Sequence, residues 1–325
     1  GYEELDAQGW IMIIPRQYVA VSEHIPLLKP QKWSEQNMLT PYENDLNVPF
    51  RIIEENTVDE NTASNSDIII DDGHPDVRLS PIDDLLKTYR SLTSRKYAIK
   101  NANIGTTQGT LKLREELVNY LSVTRGLNIS VDNLLITHGA QMSIYLSAQL
   151  LLGYSSNIIV GKPNYPVADK TFEETGAKII EVNVDDRGID TDAIETICKR
   201  KKIDAVYVIP HHHYPTTVTL SVDRRVKLLE LSKQFSFAII EDDYDSEFRY
   251  EGQPVSSLYE LDPNRVIYIG SFSKILAPAL RLGYMILPEV LIPKYLKLKM
   301  YTDVHTESIS QLVLAQFIND GKLEK

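Results

Sequence analysis

Along most of the chain, short apolar runs alternate with longer segments in which apolar residues recur every three or four positions. From Asp67 onward, the short runs predict β-strands and the longer segments predict amphipathic helices, with stops at Gly126 and Gly153. The predicted strands are NLLITHG, SNIIVGKPNY, AKIIEVNV, DAVYVIP, FAIIEDDY, RVIYIGS and RLGYMIL. Apolar strands separated by helical crossovers predict an α/β fold, with a mostly parallel sheet and helices on both faces.

Two different patterns precede this region. Residues 1–22 predict the end of a helix, a glycine stop at Gly9, and a hairpin formed by WIMII and YVAV. Residues 23–66 are rich in Asn, Glu, Pro and Ser and show weak periodicity, which is typical of a solvated linker.

Composition and charge narrow the function without identifying it. The chain has 325 residues and a formal net charge of −11, so broad nucleic-acid binding is not expected, because such a surface must neutralise phosphates. No apolar run approaches the roughly 20 residues that span a bilayer, and no signal peptide opens the chain. The single cysteine, Cys198, fits a reducing compartment. These features predict a cytoplasmic protein that does not associate with membranes.

Polar residues follow the predicted strands at their carboxyl ends, where ligands bind in sheets of this kind. AIIEDDYDSEF ends one strand with Asp242 and Tyr244, and GSFSK ends the next with Lys274. A lysine can form a Schiff base with an aldehyde, and a buried aspartate can keep a pyridine nitrogen protonated. Helix starts and small hydroxyl residues can hold a phosphate. This combination is what pyridoxal phosphate requires.

Simpler interpretations exist for the same residues. Lys274 alone could be a surface lysine. Asp242 could belong to a solvated acidic cluster with Glu241, Asp243 and Asp245, although the apolar run FAII before it favours a buried strand end. If Asp243 is solvated, its replacement by Asn is expected to have little effect.

Two aromatic and imidazole motifs also leave alternatives. Tyr165, in GKPNYP, is either a residue that stacks on a ligand ring or a packing aromatic beside a proline turn. His211, His212 and His213 suggest a metal, but consecutive residues of an extended segment point to opposite faces and cannot converge on one ion. We therefore expect no metal site, and a loop at the edge of the cofactor with His212 as its contact.

A set of motifs resembles the aminotransferase-like domain of the MocR/GabR regulators, which are pyridoxal-phosphate proteins of the aspartate-aminotransferase fold. These motifs are SFSKILAPALRLGYMILP, AIIEDDYDSEF, THGAQ, GKPNYP and HHHYPTT. The opening segments YEELDAQGWI and PRQYVAV resemble the end of the winged helix-turn-helix, of the GntR class, that is fused ahead of this domain. The resemblance implies a winged-helix remnant at 1–22, a linker at 23–66, a large cofactor-binding domain at 67–305, and the start of a small domain at 306–325.

The resemblance also implies a role for each matching residue. Lys274 would be the Schiff-base lysine, Asp242 the partner of the pyridine nitrogen, and Tyr244 a hydrogen-bond partner of the phenolic oxygen. Tyr165 would stack on the ring. The phosphate would be held by the larger set of Ser271, Ser273, Arg281, Gly139, Ala140 and Gln141.

Two features depart from the family pattern. IGTTQG has Ile104 where the family usually has a tyrosine that reaches the phosphate of the neighbouring subunit, which puts that cross-dimer contact in question. Lys325 falls in the helix before the small domain, which in the family carries the arginine for a substrate carboxylate. Both ends therefore indicate a piece of a longer protein, which alone is not expected to regulate or transaminate efficiently.

Three functions remain open at this point. The chain could belong to a transcriptional regulator that senses the cofactor or an amino compound, to a working aminotransferase, or to a cofactor carrier without chemistry. The winged-helix remnant and the acidic linker favour the regulator, because a free-standing aminotransferase needs neither. The expected partners are DNA, read mostly by residues before Gly1, a small amino compound, and a second copy of the chain in a homodimer.

Overall fold

The computed structural model describes residues 1–23, 75–94, 101, 105–245, 247–248 and 256–323. The predicted linker, apart from Glu23, lies outside these residues, and so does Ile104. The chain divides into two units, Gly1–Asp67 and Ile68–Lys325.

The described part of the first unit is a short helix followed by a hairpin. Helix α1 spans Tyr2–Ala7, and Gly9 beyond it has a φ of 76°, a left-handed conformation that glycine adopts without strain. Strand β1 (Ile11–Ile14) pairs antiparallel with β2 (Tyr18–Val21), and Arg16 in the turn between them has a φ of 64°. The helix stop and the hairpin predicted from the sequence are confirmed.

The described part of the second unit contains helices packed around an eight-stranded sheet. Its helices are α2 (Ile82–Leu92), α3 (Leu111–Arg125), α4 (Gly139–Leu151), α5 (Pro166–Glu173), α6 (Thr191–Cys198), α7 (Val222–Phe235), α8 (Leu258–Leu261), α9 (Ile292–Thr302) and α10 (Ser308–Asn319). Its strands are β3 (Leu134–Thr137), β4 (Asn157–Lys162), β5 (Lys178–Asp185), β6 (Gly188–Ile189), β7 (Ala205–Val208), β8 (Ala238–Asp243), β9 (Val266–Ser271) and β10 (Gly283–Ile286).

The strand order is β3-β10-β9-β8-β7-β4-β5-β6. Strands β5, β4, β7, β8 and β9 are mutually parallel, whereas β10 is antiparallel to both β9 and β3. The connection from Ser271 to Gly283 contains no α-helix, so β10 returns beside β9 in the opposite direction. The predicted α/β fold with a mostly parallel sheet is confirmed. The two-residue strand β6, antiparallel to β5, was not predicted.

Apolar side chains cover both faces of this sheet, and consecutive residues of a strand enter opposite clusters. Ile239 and Tyr268 belong to the cluster that includes residues of α3, α7 and α10, whereas Ile240 and Ile269 belong to the one that includes residues of α4, α5 and α9. Each fully buried aliphatic side chain of this size stabilises the fold by about 1.5–3 kcal/mol. In the described part of the chain, no helix combines the length and apolarity needed to cross a bilayer.

Candidate functional site

The carboxyl ends of β3, β8 and β9 meet at one edge of the sheet and bring the predicted site residues together. Ser271, at the end of β9, lies opposite Gly283, which in turn lies opposite Thr137 at the end of β3. Asp242 is in β8, the strand on the other side of β9. Helix α4 begins at Gly139, two residues after β3. A helix start and three strand ends therefore surround one region.

Asp242 is a buried carboxylate, and one of its oxygens has no hydrogen-bond partner among the described residues. Its side chain is nearly inaccessible, and the hydroxyl of Tyr207 donates to its Oδ2 at 2.7 Å. Its Oδ1 is buried and has no hydrogen-bond partner among the described residues. Burial raises the pKa of Asp242 to about 7, although the hydrogen bond from Tyr207 lowers it. A donor or cation beside Oδ1 would stabilise the ionised form, which is what a protonated ring nitrogen provides.

An open cleft of about 650 Å³ is lined partly by residues that follow β8 and β9, among them Tyr244 and Lys274, and partly by residues of the segments 75–80 and 213–217. Lys274 lies in a turn after β9, in which the backbone N–H of Leu276 donates to the carbonyl of Phe272 at 3.0 Å. The hydroxyl of Tyr244 donates to the carbonyl of His212 at 3.2 Å. Burial, reinforced by Asp245 and Asp242, raises the pKa of Tyr244 above its usual range. The lysine and the tyrosine predicted for one ligand thus face one cleft.

Gly139 and Arg281 are in close contact at the start of α4. Gly139 has a φ of 77°, and a Cβ placed on it would lie 3.0 Å from Nη2 of Arg281. The same Nη2 donates to the carbonyl of His138 at 3.2 Å. A Cβ on Gly283 would lie 2.8 Å from the backbone of Gly139. Only glycines permit this approach, which sets a guanidinium beside a helix N-terminus, an arrangement that attracts anions.

The remaining predicted phosphate-binding residues occupy the same region. Ser271 is buried, and its Oγ accepts the backbone N–H of Ser273 at 3.2 Å. Ala140 is the second residue of α4 and is half-buried. The side chain of Gln141 turns to α5, where its Nε2 donates to Oγ1 of Thr171 at 2.7 Å. The backbone of Gln141 therefore lies in the first turn of α4, near the predicted phosphate position, whereas its side chain connects α4 to α5.

The three consecutive histidines bond to three different acceptors. Nδ1 of His211 is 2.8 Å from Asp243, Nδ1 of His212 is 2.7 Å from Asp245, and Nε2 of His213 is 2.7 Å from the carbonyl of Pro163. Within the residues that the structure describes, no group of three or more His, Cys, Asp or Glu side chains could hold a metal ion. His213 lines the cleft, whereas His212 contributes the carbonyl that accepts from Tyr244.

Tyr165 is the residue before α5 and is half-buried. Its ring packs edge-on against Tyr214, with centroids 5.6 Å apart and an interplanar angle of 74°. Tyr214 lines the cleft. This contact supports the packing interpretation of Tyr165, and stacking on a ligand stays a prediction.

The interpretation of the EDDYD segment as a solvated acidic cluster is wrong. Glu241 and Asp243 are both buried, as Asp242 is, because the apolar strand carries all three into the sheet. The carboxylate of Glu241 accepts the backbone N–H groups of Leu258 and Tyr259, each at 2.8 Å, and thereby caps α8. Burial raises the pKa of Glu241 to about 7.

Asp243 is the centre of a buried network, so the condition under which its replacement by Asn would have little effect is not met. Its carboxylate accepts from Nη1 of Arg125 at 2.9 Å, from Nδ1 of His211 at 2.8 Å and from the hydroxyl of Tyr268 at 2.6 Å. Burial alone would raise the pKa of Asp243, but the bond and charge of His211, with Arg125, hold it well below its usual range. In return, the pKa of His211 is raised despite its burial.

Sequence reasoning missed this network and the bond from Tyr207 to Asp242. The partners are far apart along the chain, since Arg125 and Asp243 differ by 118 in residue number and Tyr207 and Asp242 by 35. The available signal was three acidic residues at the end of an apolar run, which called for buried partners.

Residues 81–325 match the family described as aminotransferase class I and II. The chain therefore belongs to this family, whose cofactor is pyridoxal phosphate. The uncharacterized HTH-type transcriptional regulator YdeL of Bacillus subtilis is 39% identical over 67% of this chain and 46% of its own length. The probable rhizopine catabolism regulatory protein MocR of Rhizobium meliloti is 29% identical over 66% of this chain and 43% of its own. The chain thus spans about half the length of these relatives.

The fold agrees with solved structures of the family. The structure of Pyrococcus horikoshii kynurenine aminotransferase in complex with PMP has a TM-score of 0.73 and 34% identity, covering 78% of this chain and 63% of that one. The predicted aspartate-aminotransferase fold and the resemblance to MocR-type proteins are confirmed.

The described residues fit the family's cofactor. The unpartnered Oδ1 of Asp242 can accept from a ring nitrogen, and Lys274 lines the cleft beside Tyr244. The close approach of Gly139 and Arg281 offers donors to a phosphate. Each of the three chemical groups of pyridoxal phosphate therefore has a suitable counterpart.

Proposed function

We propose that this chain is the cofactor-binding part of a transcriptional regulator of the MocR type. In this proposal, pyridoxal phosphate and a small amino compound bind at the ends of β8 and β9, and their binding controls the affinity for DNA. The observation that carries it is the helix and hairpin of residues 2–21, which precede the aminotransferase-like unit in the same chain and suit the end of a winged helix. The identity to HTH-type regulators supports it.

The proposed regions follow from this assignment. Residues 1–22 are the end of the winged helix, 23–66 the linker, 67–305 the large domain, and 306–325 the start of the small domain. The active form is a homodimer, as the resemblance implies. The DNA partner is bound by the winged helix, since a net charge of −11 gives the chain little attraction for phosphates.

Pyridoxal phosphate, when bound, supplies an aldehyde and an electron-withdrawing ring. Lys274 provides the amine for the aldehyde. Asp242 accepts the ring N–H through Oδ1 and holds the proton on that nitrogen, because its carboxylate is buried and otherwise lacks a donor there. Tyr244 would donate to the phenolic oxygen by turning its one hydroxyl proton away from the carbonyl of His212.

The phosphate is assigned to the start of α4 and the turn after β9. Arg281 supplies charge, Ser271 and Ser273 supply hydroxyls, and Gly139 allows the backbone to approach. Ala140 and Gln141 contribute backbone N–H groups of the first helical turn. Tyr165 and His212 complete the surroundings of the ring.

The first experiment tests the cofactor site with the natural gene product and its Lys274→Ala variant. The wild-type protein loaded with pyridoxal phosphate is expected to show a visible absorption band that survives dialysis, and borohydride should fix the cofactor to one peptide. Lys274→Ala should lose both. Lys294→Ala, on the surface-facing part of α9, is the matched control and should keep both. An unchanged band in Lys274→Ala would refute the assignment.

The second experiment separates regulator from enzyme. The same protein is offered a pool of random duplex DNA, and enrichment of a sequence that depends on the bound cofactor or an added amine supports the regulator. The alternative is a working aminotransferase, which the similarity to the Pyrococcus horikoshii enzyme favours. Multiple turnovers between amino acids and keto acids, without DNA enrichment, would establish that alternative.

A further inference from the structure

The end of β8 presents alternate residues to opposite faces of the sheet. Asp242 lies on the face of Tyr207, and the ring of Tyr207 belongs to the cluster that includes residues of α4, α5 and α9. Asp243 lies on the other face, where Arg125 and Tyr268 reach it. The backbone of Asp243 therefore joins the two residues assigned to the cofactor, Asp242 and Tyr244.

Side chains from three other parts of the fold converge on the carboxylate of Asp243. Arg125 comes from the end of α3, His211 from the segment after β7, Tyr268 from β9, and Asp243 itself from β8. The three donors lie at 2.9, 2.8 and 2.6 Å, and the side chain of Asp243 is fully inaccessible. A carboxylate held by three directed donors has little freedom to rotate or shift.

The network also extends to two segments that adjoin Tyr244, which lines the cleft. Nη2 of Arg125 lies 3.2 Å from Oε1 of Glu247, beyond Tyr244 in the chain. His211 precedes His212, whose carbonyl accepts the hydroxyl of Tyr244. The same contacts thus hold the β8 end and the loop that positions the Tyr244 hydroxyl.

Asp242 depends on this support. Apart from the bond from Tyr207 to Oδ2, its carboxylate has no hydrogen bond within the described part of the chain, so the direction of Oδ1 is set mainly by the backbone of β8. A shift of the strand end would misdirect Oδ1 and Tyr244 together.

We infer that Asp243 is a positioning residue of the cofactor site, which acts with Arg125, His211 and Tyr268 to fix the backbone between Asp242 and Tyr244. This inference rests on the proposed function of that site. Asp243 does not touch the cofactor; it acts through its two neighbours in the chain.

The experiment compares cofactor-loaded wild-type protein with Asp243→Asn and the milder Tyr268→Phe. Asp243→Asn keeps the shape and removes the charge, whereas Tyr268→Phe removes one donor. Tyr295→Phe is the matched control, since its buried hydroxyl donates to Ser147 at 3.2 Å, and neither residue lines the cleft. The readouts are the Kd for pyridoxal phosphate by absorbance titration, the visible circular dichroism per bound cofactor at saturation, and the melting temperature without cofactor.

We expect Asp243→Asn to raise the Kd about tenfold or more and to reduce the visible circular dichroism, because a loosely held ring loses its fixed asymmetric surroundings. Tyr268→Phe should shift both readouts in the same direction by a smaller amount, about threefold in Kd. Tyr295→Phe should change only the melting temperature. If Asp243→Asn does not fold, Tyr268→Phe against Tyr295→Phe still decides the question.

The result that overturns the inference is a lowered melting temperature in both network variants with wild-type Kd and wild-type circular dichroism per bound cofactor. That pattern would make the network purely structural and leave the proposed function intact. Failure of the proposed function is distinct, since wild-type protein would then fail to bind the cofactor through Lys274, and both proposals would fall.

Discussion

Asp242 and Asp243 are adjacent and equally buried, yet their surroundings differ completely. Asp242 receives one hydrogen bond from the described residues and keeps a bare oxygen, so burial raises its pKa to about 7. Asp243 receives donors from three residues, and its pKa falls below the usual range. Burial disfavours the charge of both carboxylates, so the additional donors around Asp243, together with the charges of His211 and Arg125, decide the difference. Because consecutive residues of a strand point to opposite faces, one carboxylate is available to a ligand whereas its neighbour already has three hydrogen-bond donors.

The largest expected effect comes from removing Arg125, the cation beside Asp243. Arg125→Met leaves Asp243 buried without its guanidinium and should destabilise the cofactor-free protein by about 3–5 kcal/mol, as measured by denaturant unfolding. Arg187→Met is the control, because Arg187 and its partner Asp223 are both exposed and the loss should be about 1 kcal/mol or less. Equal losses for the two variants would show that the buried network contributes no more to the free energy of unfolding than an exposed ion pair does.

The pH dependence of stability tests the raised pKa of Asp242. The pKa of Asp242 is raised above its unfolded value of about 3.9, so its contribution to stability is full below that value and is lost as pH rises through about 7. Wild-type protein without cofactor should therefore lose on the order of 3 kcal/mol more than Asp242→Asn between pH 4 and 8. Glu241 is common to both proteins, and its similar contribution cancels. Parallel pH curves would contradict the raised pKa of Asp242.

The smallest expected effects come from two variants, each of which removes one hydrogen-bond donor from one of the carboxylates. Tyr207→Phe takes from Asp242 its hydrogen bond at 2.7 Å and should cost about 1–2 kcal/mol at pH 8, and less at pH 5, where the carboxyl is protonated. Tyr268→Phe leaves Asp243 with Arg125 and His211, so its loss should vary little between these pH values. Unfolding measurements at both pH values check this, and a pH-dependent loss in Tyr268→Phe alone would reverse the comparison.

Most of the fold could be predicted because its signals are local. Apolar runs such as FAII and VIYIG marked buried strands, and Gly126, with a φ of 68°, ended α3 as expected. The positions of Lys274 and Asp242 at one sheet edge followed from their places after parallel strands. The environment of Asp243 could not be predicted, because its donors come from distant segments that only the folded sheet brings together.

The division of the chain into Gly1–Asp67 and Ile68–Lys325 has a spectroscopic consequence. Both tryptophans, Trp10 and Trp33, fall in the first unit, so selectively excited tryptophan fluorescence reports on that unit alone. The second unit can be followed by ultraviolet absorbance, since burial raises the pKa of its core tyrosines, such as Tyr284, well above the usual value. These phenols ionise in alkaline solution only as their unit unfolds. The two parts of one chain can therefore be monitored separately in a single cuvette, without any added label.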